Sequence, residues 1–172
     1  GQYRFDKYRS RKGDGDDDAQ AGKGALVIRT PAGEEAGGAY AAQWPPVADA
    51  VAFARALSPG PANALWPEEF VARVRERARG LPLRIEVLDV PAMQKLGMGG
   101  ILAVGQGSVR PPRLLVLRYD GGQAGDAPLA FVGKGITFDS GGISLKPGAN
   151  MWLMKADMTG AASVMGTVLA LA

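Results

Sequence analysis

The sequence contains no cysteine and no histidine among its 172 residues. Without cysteine the chain forms neither disulfides nor thiolate metal sites, which fits a reducing compartment. Without histidine it lacks the side chain that most often carries protons near neutral pH. A catalytic or metal-binding site in this chain must therefore be built from carboxylates, amines and hydroxyl groups.

Long hydrophobic runs are also absent. The apolar stretches are short and interrupted by glycine, so we expect no segment to span a membrane. The first dozen residues are polar and charged, and they lack the apolar region of a secretory leader.

An excess of charge of one sign is missing too, since the formal net charge is only +3. Residues 1–12 carry five basic side chains and one acidic one, and residues 13–18 carry four aspartates, so the charge of this stretch cancels. A nucleic-acid-binding arm needs sustained positive charge. We therefore interpret the stretch as a solvated linker, and a nucleic-acid partner is not indicated.

What is present is an alternation of strand-like and helix-like segments. Short apolar or alternating runs predict strands at residues 24–31, 83–90, 113–119 and 129–133. Helical spacing and helix-ending residues predict helices at 46–57, 67–80 and 162–172. Glycines predict turns at 33–40 and toward the end of 101–108. The alternation indicates an α/β protein with a parallel or mixed sheet flanked by helices.

The two ends of the sequence bear on its extent. The chain does not begin with methionine, and its apolar last segment has no glycine or basic residue to end a helix. A helix this apolar is normally buried on most sides. We therefore expect the chain to be part of a longer protein.

A glycine-rich polar cluster follows the predicted strand at 129–133. Residues 132–146, VGKGITFDSGGISLK, hold Lys134, Asp139 and Lys146, and residues 154–160, MKADMTG, add Asp157. In α/β sheets, ligands bind beyond the carboxyl ends of the strands. The cluster therefore lies where a functional site is expected.

The residue types leave four interpretations of the cluster. A phosphate-binding loop needs Ser or Thr directly after its lysine, where this sequence has Gly135. A Ser–Lys hydrolase would use Ser140 or Ser144 with Lys146 as the base, although the Ser-x-x-Lys spacing is absent. Solvated turn residues are the third interpretation. A metal site is the fourth.

The metal interpretation follows from the chemistry of the carboxylates and amines. Asp139 and Asp157 offer hard oxygen donors suited to Mg, Mn or Zn. Burial beside a divalent cation favours the neutral form of a lysine, so one lysine can act as a ligand. A second, charged lysine can stabilise negative charge developing on a carbonyl oxygen. Two metal ions can also replace histidine as the activator of water.

The cluster and several earlier segments resemble the leucyl (cytosol) aminopeptidase family of two-metal peptidases. VGKGITFDSGGISLKP and MKADMTGAA are similar to its metal-site segments, and YRFDKYRSRK, SPGPANAL and LGMGGILAVGQGSVRPPRLLVLRY are similar to further segments in the same order. The resemblance implies the first half of that family's catalytic domain. Residues 1–40 correspond to the tail of an N-terminal domain, 41–58 to a linker helix, and 59–172 to the N-terminal half of the catalytic domain.

The resemblance also implies a function and roles for the cluster. The family releases N-terminal residues, often leucine, from peptides and amino-acid amides. Lys134, Asp139 and Asp157 correspond to ligands of two divalent ions (Mn or Zn, with Mg as a further option), and bicarbonate is an additional anion of the site. Lys146 corresponds to the lysine that polarises the scissile carbonyl, and Met154 to a residue lining the pocket for the substrate's first side chain. The family also implies a cytoplasmic homo-hexamer with no membrane partner.

The main departure from the family pattern concerns the metal ligands. The family's second metal-site segment, which supplies a further aspartate, a glutamate and an arginine, is not among these residues. We therefore expect the chain alone to bind divalent metal weakly and to show little peptidase activity. A non-catalytic fragment or binding module is the alternative interpretation of this chain.

Overall fold

A computed structural model describes Tyr3, Phe5, Lys7, Tyr8 and residues 27–172. Most of the charged stretch at residues 1–18 and the first three residues of the strand predicted at 24–31 lie outside the described residues. The chain divides into two compact units, Gly1–Pro45 and Pro46–Ala172. The candidate site residues all belong to the second unit.

The described residues form six helices and two strands between residues 33 and 171, with irregular loops between them. In chain order they are α1 (Gly33–Leu57), α2 (Pro67–Arg77), β1 (Leu83–Leu88), α3 (Val90–Lys95), α4 (Gly99–Gly105), β2 (Leu114–Tyr119), a 3₁₀ helix (Met151–Met158) and α5 (Thr159–Leu171). Strand β1 pairs antiparallel with β2, so that Leu83 lies opposite Tyr119. Helices combined with this sheet confirm the α/β class.

Several elements are confirmed where the sequence predicts them. Helix α2 begins at Pro67, carries two glutamates in its first turn and two arginines in its last, as the helix dipole favours. Gly80 follows the helix with a φ of +80°, a conformation that glycine adopts without steric cost. Strands β1 and β2 also lie within their predicted segments, and helix α5 overlaps the helix predicted at 162–172 but begins three residues earlier, at Thr159.

The predicted turn at residues 33–40 is wrong, because helix α1 begins at Gly33. Glu34 and Glu35 lie in its first turn, where negative charge interacts favourably with the helix dipole. The alanines that follow are strong helix formers, and they outweigh the glycines at 37 and 38. The turn predicted toward the end of 101–108 is present, because helix α4 ends at Gly105 and residues 106–107 form a turn.

Two predicted strands are not formed by the described residues. Residues 27–30 are exposed and irregular, and residues 129–133 are also irregular. Within 129–133, Leu129 is 87% exposed and Val132 is 94% exposed, although the apolar run predicted burial on both faces. A strand needs a neighbour for its backbone hydrogen bonds, and in the described part of the chain β1 and β2 pair with each other.

The core of the second unit lies where the end of α1, helix α2, the 3₁₀ helix and α5 meet. Its buried members are Leu57, Leu65, Phe70, Val74, Met158, Ala162 and Met165, and Leu115 and Leu117 of β2 pack against them. Ser58 and Thr159 hydroxyls share a hydrogen bond of 2.7 Å beside this core. The 3₁₀ helix and α5, which carry one side of the candidate site, are therefore fixed to the rest of the unit.

None of the helices in the part of the chain that the structure describes is long and apolar enough to cross a bilayer.

Candidate metal centre

The first half of the site is an ion pair between the loop after residue 133 and the 3₁₀ helix. Lys134 Nζ donates a hydrogen bond of 2.6 Å to Asp157 Oδ2. Asp157 precedes Met158, which is fully buried in the core. The carboxylate is thus held by a rigid element, whereas Lys134 approaches it from an irregular segment with its side chain 53% exposed.

The second half of the site is an ion pair within the glycine-rich loop. Lys146 Nζ lies 3.0 Å from Asp139 Oδ2, and the Gly141 N–H donates to Asp139 Oδ1 at 2.9 Å. The hydrogen bond from Lys146 is the main reason that the pKa of Asp139 lies below its ordinary value, and the Gly141 N–H lowers this pKa further. Partial desolvation acts in the opposite direction. Asp139 is therefore held as a carboxylate.

The loop that brings Lys146 back to Asp139 depends on two consecutive glycines. Gly141 and Gly142 have φ values of +95° and +70°, which other residues adopt at a cost. The Lys146 N–H then donates to the Ser140 carbonyl at 2.9 Å and closes the loop. The glycines of this loop are visible in the sequence, but the sequence does not reveal that the Gly141 N–H is a partner of Asp139.

Met154 is the fifth residue that the sequence analysis singled out, and it lies against Lys146. The Lys146 ammonium donates to the Met154 sulfur at 3.2 Å, a weak hydrogen bond because a thioether is a weak acceptor. Lys146 therefore has a carboxylate on one side and a thioether on another. Its contacts are to Asp139 and Met154, and these do not correspond to the Ser–Lys arrangement considered for Ser140 or Ser144.

The two ion pairs lie within electrostatic range of each other. The positive charge of Lys134 also lowers the pKa of Asp139, which belongs to the other pair. The structure thus brings all five predicted residues into two adjoining groups. One group is Lys134 with Asp157, and the other is Asp139, Lys146 and Met154.

The donor set of the cluster fits part of a metal coordination shell. Asp139 and Asp157 supply carboxylate oxygens, which Mg, Mn and Zn all accept. Among the described residues, no group of three or more His, Cys, Asp or Glu side chains could hold a metal ion. Two carboxylates and one amine are fewer donors than two divalent ions require. The remaining donors must come from water, substrate or other polypeptide.

A surface cavity of about 400 Å³ lies elsewhere, beside α2. Its lining includes Trp66, Glu68, Val87 and Arg113 and none of the five cluster residues. Arg113 and Glu68 form an ion pair there. The cavity therefore carries no part of the candidate metal centre.

The fold and the cluster together define an α/β domain with a candidate metal centre. Residues 52–172 match the sequence model described as the cytosol aminopeptidase family, catalytic domain. The chain therefore belongs to the cytosol aminopeptidase family, which confirms the resemblance read from its segments.

Similar proteins agree with this assignment. A probable cytosol aminopeptidase of Bradyrhizobium sp. (strain BTAi1) is 49% identical over 170 residues, which cover 99% of this chain and 33% of that protein. The structure of the bottromycin maturation enzyme BotP in complex with Mn is 38% identical with a TM-score of 0.73, and the match covers 98% of this chain and 33% of that one. The apo leucyl aminopeptidase of Trypanosoma cruzi is 37% identical with a TM-score of 0.65, over 73% of this chain and 24% of that one. The chain thus spans about a third of the length of the relatives it matches.

Proposed function

We propose that the whole protein is a metal-dependent aminopeptidase that releases N-terminal residues, with a preference of the leucine type, from peptides and amino-acid amides. The observation that carries this proposal is the pairing of Lys134 with Asp157 and of Lys146 with Asp139, at 2.6 and 3.0 Å. Segments 132–146 and 154–160 are separate in sequence, yet their charged side chains meet in one cluster. Membership of the cytosol aminopeptidase family supports the same activity.

Each residue of the cluster receives a role in this proposal. Lys134, Asp139 and Asp157 hold the divalent ions, of which Mn is the first to test because a similar structure was obtained with it. Bound metal would supply Lewis acidity and an activated water at neutral pH. Lys146 donates to the scissile carbonyl oxygen and stabilises the negative charge that develops there. Met154, beside Lys146, contacts the side chain of the substrate's first residue.

Lys146 is suited to this role by its present contacts. Asp139 and the Met154 sulfur hold its ammonium from the protein side. An ammonium has three donors, so one remains for a carbonyl oxygen while two keep these partners. The positive charge is then fixed in place before the substrate arrives, which is how a pre-organised site lowers a barrier.

Other parts of the proposed enzyme lie outside the cluster. The missing metal ligands and an anion site for bicarbonate are assigned to further polypeptide, since the chain spans about a third of its relatives. We assign residues 1–40 to an N-terminal domain, 41–58 to a linker helix and 59–172 to the catalytic domain. The whole protein is proposed to be a cytoplasmic homo-hexamer acting on peptides.

Binding of Mn²⁺ to the purified chain, measured by electron paramagnetic resonance, tests the metal site. We expect weak binding that is lost in Asp139→Asn and in Asp157→Asn, because each change removes a charged oxygen donor. Asp126→Asn is the matched control, since Asp126 caps the Gln123 N–H in a separate loop. Equal affinity in the wild type and both site variants would contradict the proposed ligands.

Hydrolysis of leucine anilide, with Mn²⁺ and then with a chelator, tests the reaction. We expect little turnover by this chain and chelator-sensitive turnover by the full-length protein, which Lys146→Gln abolishes. Turnover that persists with chelator and disappears in Ser140→Ala or Ser144→Ala would replace the aminopeptidase mechanism with a Ser–Lys one. Full-length protein that is folded but inactive would favour a binding module.

A further inference from the structure

We propose that Gly133 and Gly160 are positioning residues, whose backbone contact sets the place of Lys134 against Asp157. This inference rests on the proposed metal site, because Lys134 and Asp157 are its ligands. The contact joins the irregular segment before Lys134 to the first turn of α5. Neither glycine was singled out by the sequence analysis.

The contact is too close for any side chain at residue 133. A Cβ atom added to Gly133 would lie 2.5 Å from the Gly160 carbonyl oxygen, 2.6 Å from its carbon and 2.7 Å from Ala161 Cα. All three are backbone atoms at the beginning of a helix, so they cannot move aside as a flexible side chain does. A Cβ atom added to Gly160 would lie 3.1 Å from the backbone nitrogen of Lys134. This contact is tight, but a small shift of the backbone relieves it.

A backbone hydrogen bond fixes the same contact. The Ala161 N–H donates to the Lys134 carbonyl at 2.8 Å. It is the one backbone hydrogen bond found for residues 127–139 in the described part of the chain. Since this segment forms no strand here, its location depends on the first turn of α5.

The α5 side of the contact is rigid. Ala162 and Met165 of α5 are buried in the core, and the Thr159 hydroxyl bonds to Ser58 at 2.7 Å. Asp157 lies only three residues before Gly160, in the 3₁₀ helix that leads directly into α5. Lys134 is therefore joined to both of these consecutive helices, by its carbonyl to Ala161 of α5 and by its Nζ to Asp157 of the 3₁₀ helix.

The physical consequence is a fixed separation between two proposed metal ligands. A lysine side chain has four rotatable bonds, so its amine reaches a given point only if the backbone starts from the right place. Displacing the Lys134 backbone by the width of a methyl group moves the amine away from the carboxylate or forces a strained rotamer. Metal sites require ligand positions within fractions of an ångström.

Four alanine substitutions in the full chain test the proposal by a graded series. Gly133→Ala introduces the severe clash, and Gly160→Ala introduces the mild one. Gly135→Ala is the matched control in the same segment, because its Cβ would meet Ala161 Cβ at an ordinary 3.4 Å. Gly148→Ala is a second control with nothing within 4 Å.

Three measurements are made on each variant. The first two are the midpoint of thermal unfolding and the affinity for Mn²⁺. The third detects the metal-free ion pair, by an NMR correlation between the Lys134 ammonium and the Asp157 carboxyl carbon. We expect Gly133→Ala to lose the correlation and to weaken Mn²⁺ binding by about tenfold or more. Gly160→Ala should weaken binding less, while its midpoint is kept or raised because alanine favours the helix. Both controls should match the wild type.

The outcomes separate this proposal from the proposed function. Wild-type correlation and wild-type Mn²⁺ affinity in Gly133→Ala would overturn the positioning role. Loss of the correlation in Gly133→Ala, with no Mn²⁺ binding by any protein including the wild type, would support the positioning contact and count against the metal site. Should Gly133→Ala fail to fold, Gly160→Ala decides: unchanged affinity and correlation in that variant overturn the proposal.

Discussion

At the scale of single residues, the charge of Asp139 depends on two neighbours rather than on burial. The Lys146 ammonium and the Gly141 N–H both donate to it, one to each carboxylate oxygen. Both donors stabilise the ionised form, so the pKa of Asp139 falls below its ordinary value of 3.8. Replacing one donor should therefore move this pKa in a known direction.

We predict that Lys146→Gln raises the pKa of Asp139, because it removes the largest cause of the lowering. The wild-type interaction stabilises the folded chain above the unfolded value of 3.8, and this stability is lost as pH falls through the lower folded pKa. In the variant, stability should depend less on pH in that acidic range. A carbon-detected NMR titration of the Asp139 carboxyl group measures the shift.

The control for this titration is Lys155→Gln, which removes a lysine of the same region that lies over the Trp152 ring. Its effect on the pKa of Asp139 should be small. An Asp139 pKa that is the same in wild type and Lys146→Gln would show that the ion pair does not form in solution.

At the scale of elements, the junction between β1 and α3 shows a helix start encoded by one side chain. Asp89 directly follows β1, and its carboxylate accepts a 3.0 Å hydrogen bond from the Ala92 N–H. Helix α3 has six residues, so its own hydrogen bonds are few. A short helix of this kind depends strongly on its cap.

Asp89→Ala should lower the free energy of unfolding by about 1 kcal/mol, since the Ala92 N–H loses its acceptor. Asp89→Asn keeps an acceptor oxygen and should cost much less. Urea denaturation followed by circular dichroism compares the two with the wild type. Equal destabilisation by both substitutions would indicate that the carboxylate charge, not the cap, is responsible.

The elements also show which structural features the sequence could predict. Helix α2 and strands β1 and β2 have local signals, such as Pro67 at a helix start and the glycine after the helix end. The turn predicted at 33–40 was wrong because two glycines were weighted above the glutamates and alanines around them. The strand predicted at 129–133 needs a neighbouring strand, and a local pattern of apolar residues does not reveal whether one is present.

For the candidate site, the sequence indicated the residues but not the contacts between them. The five residues came from segments that resemble one family, and the structure places them together. The partners within the cluster did not follow from spacing, because they depend on loop closure at Gly141 and Gly142 and on the contact between Gly133 and Gly160. These are three-dimensional contacts between backbone atoms, which leave no periodic signal in a sequence.

At the scale of the whole molecule, large apolar side chains remain on the described surface. Leu129, Val132 and Ile143 are each 87% exposed or more. Apolar surface of this kind tends to be covered by other protein in the functional state, or to promote association. Two of the three lie in the segment that leads into the candidate site.

We predict that the purified chain associates as its concentration rises, and that serine at positions 129, 132 and 143 together reduces this association. Sedimentation velocity over a range of concentrations measures it. The serine variant should keep the thermal midpoint of the wild type, since the three side chains contribute little to the core. A wild-type chain that stays monomeric throughout the range would contradict the prediction.

The paired lysines and aspartates make the metal-free cluster electroneutral, because two ammonium groups face two carboxylates. Arriving divalent cations therefore add positive charge, less the one proton that Lys134 gives up when it becomes a ligand, and the cluster itself has no surplus of anions to balance the remainder. Water screens part of this excess in an open cluster, but lasting occupancy requires compensating negative charge. Metal and anion should consequently load together, so that a carboxylate from further polypeptide or a small anion such as bicarbonate raises the occupancy of the cation.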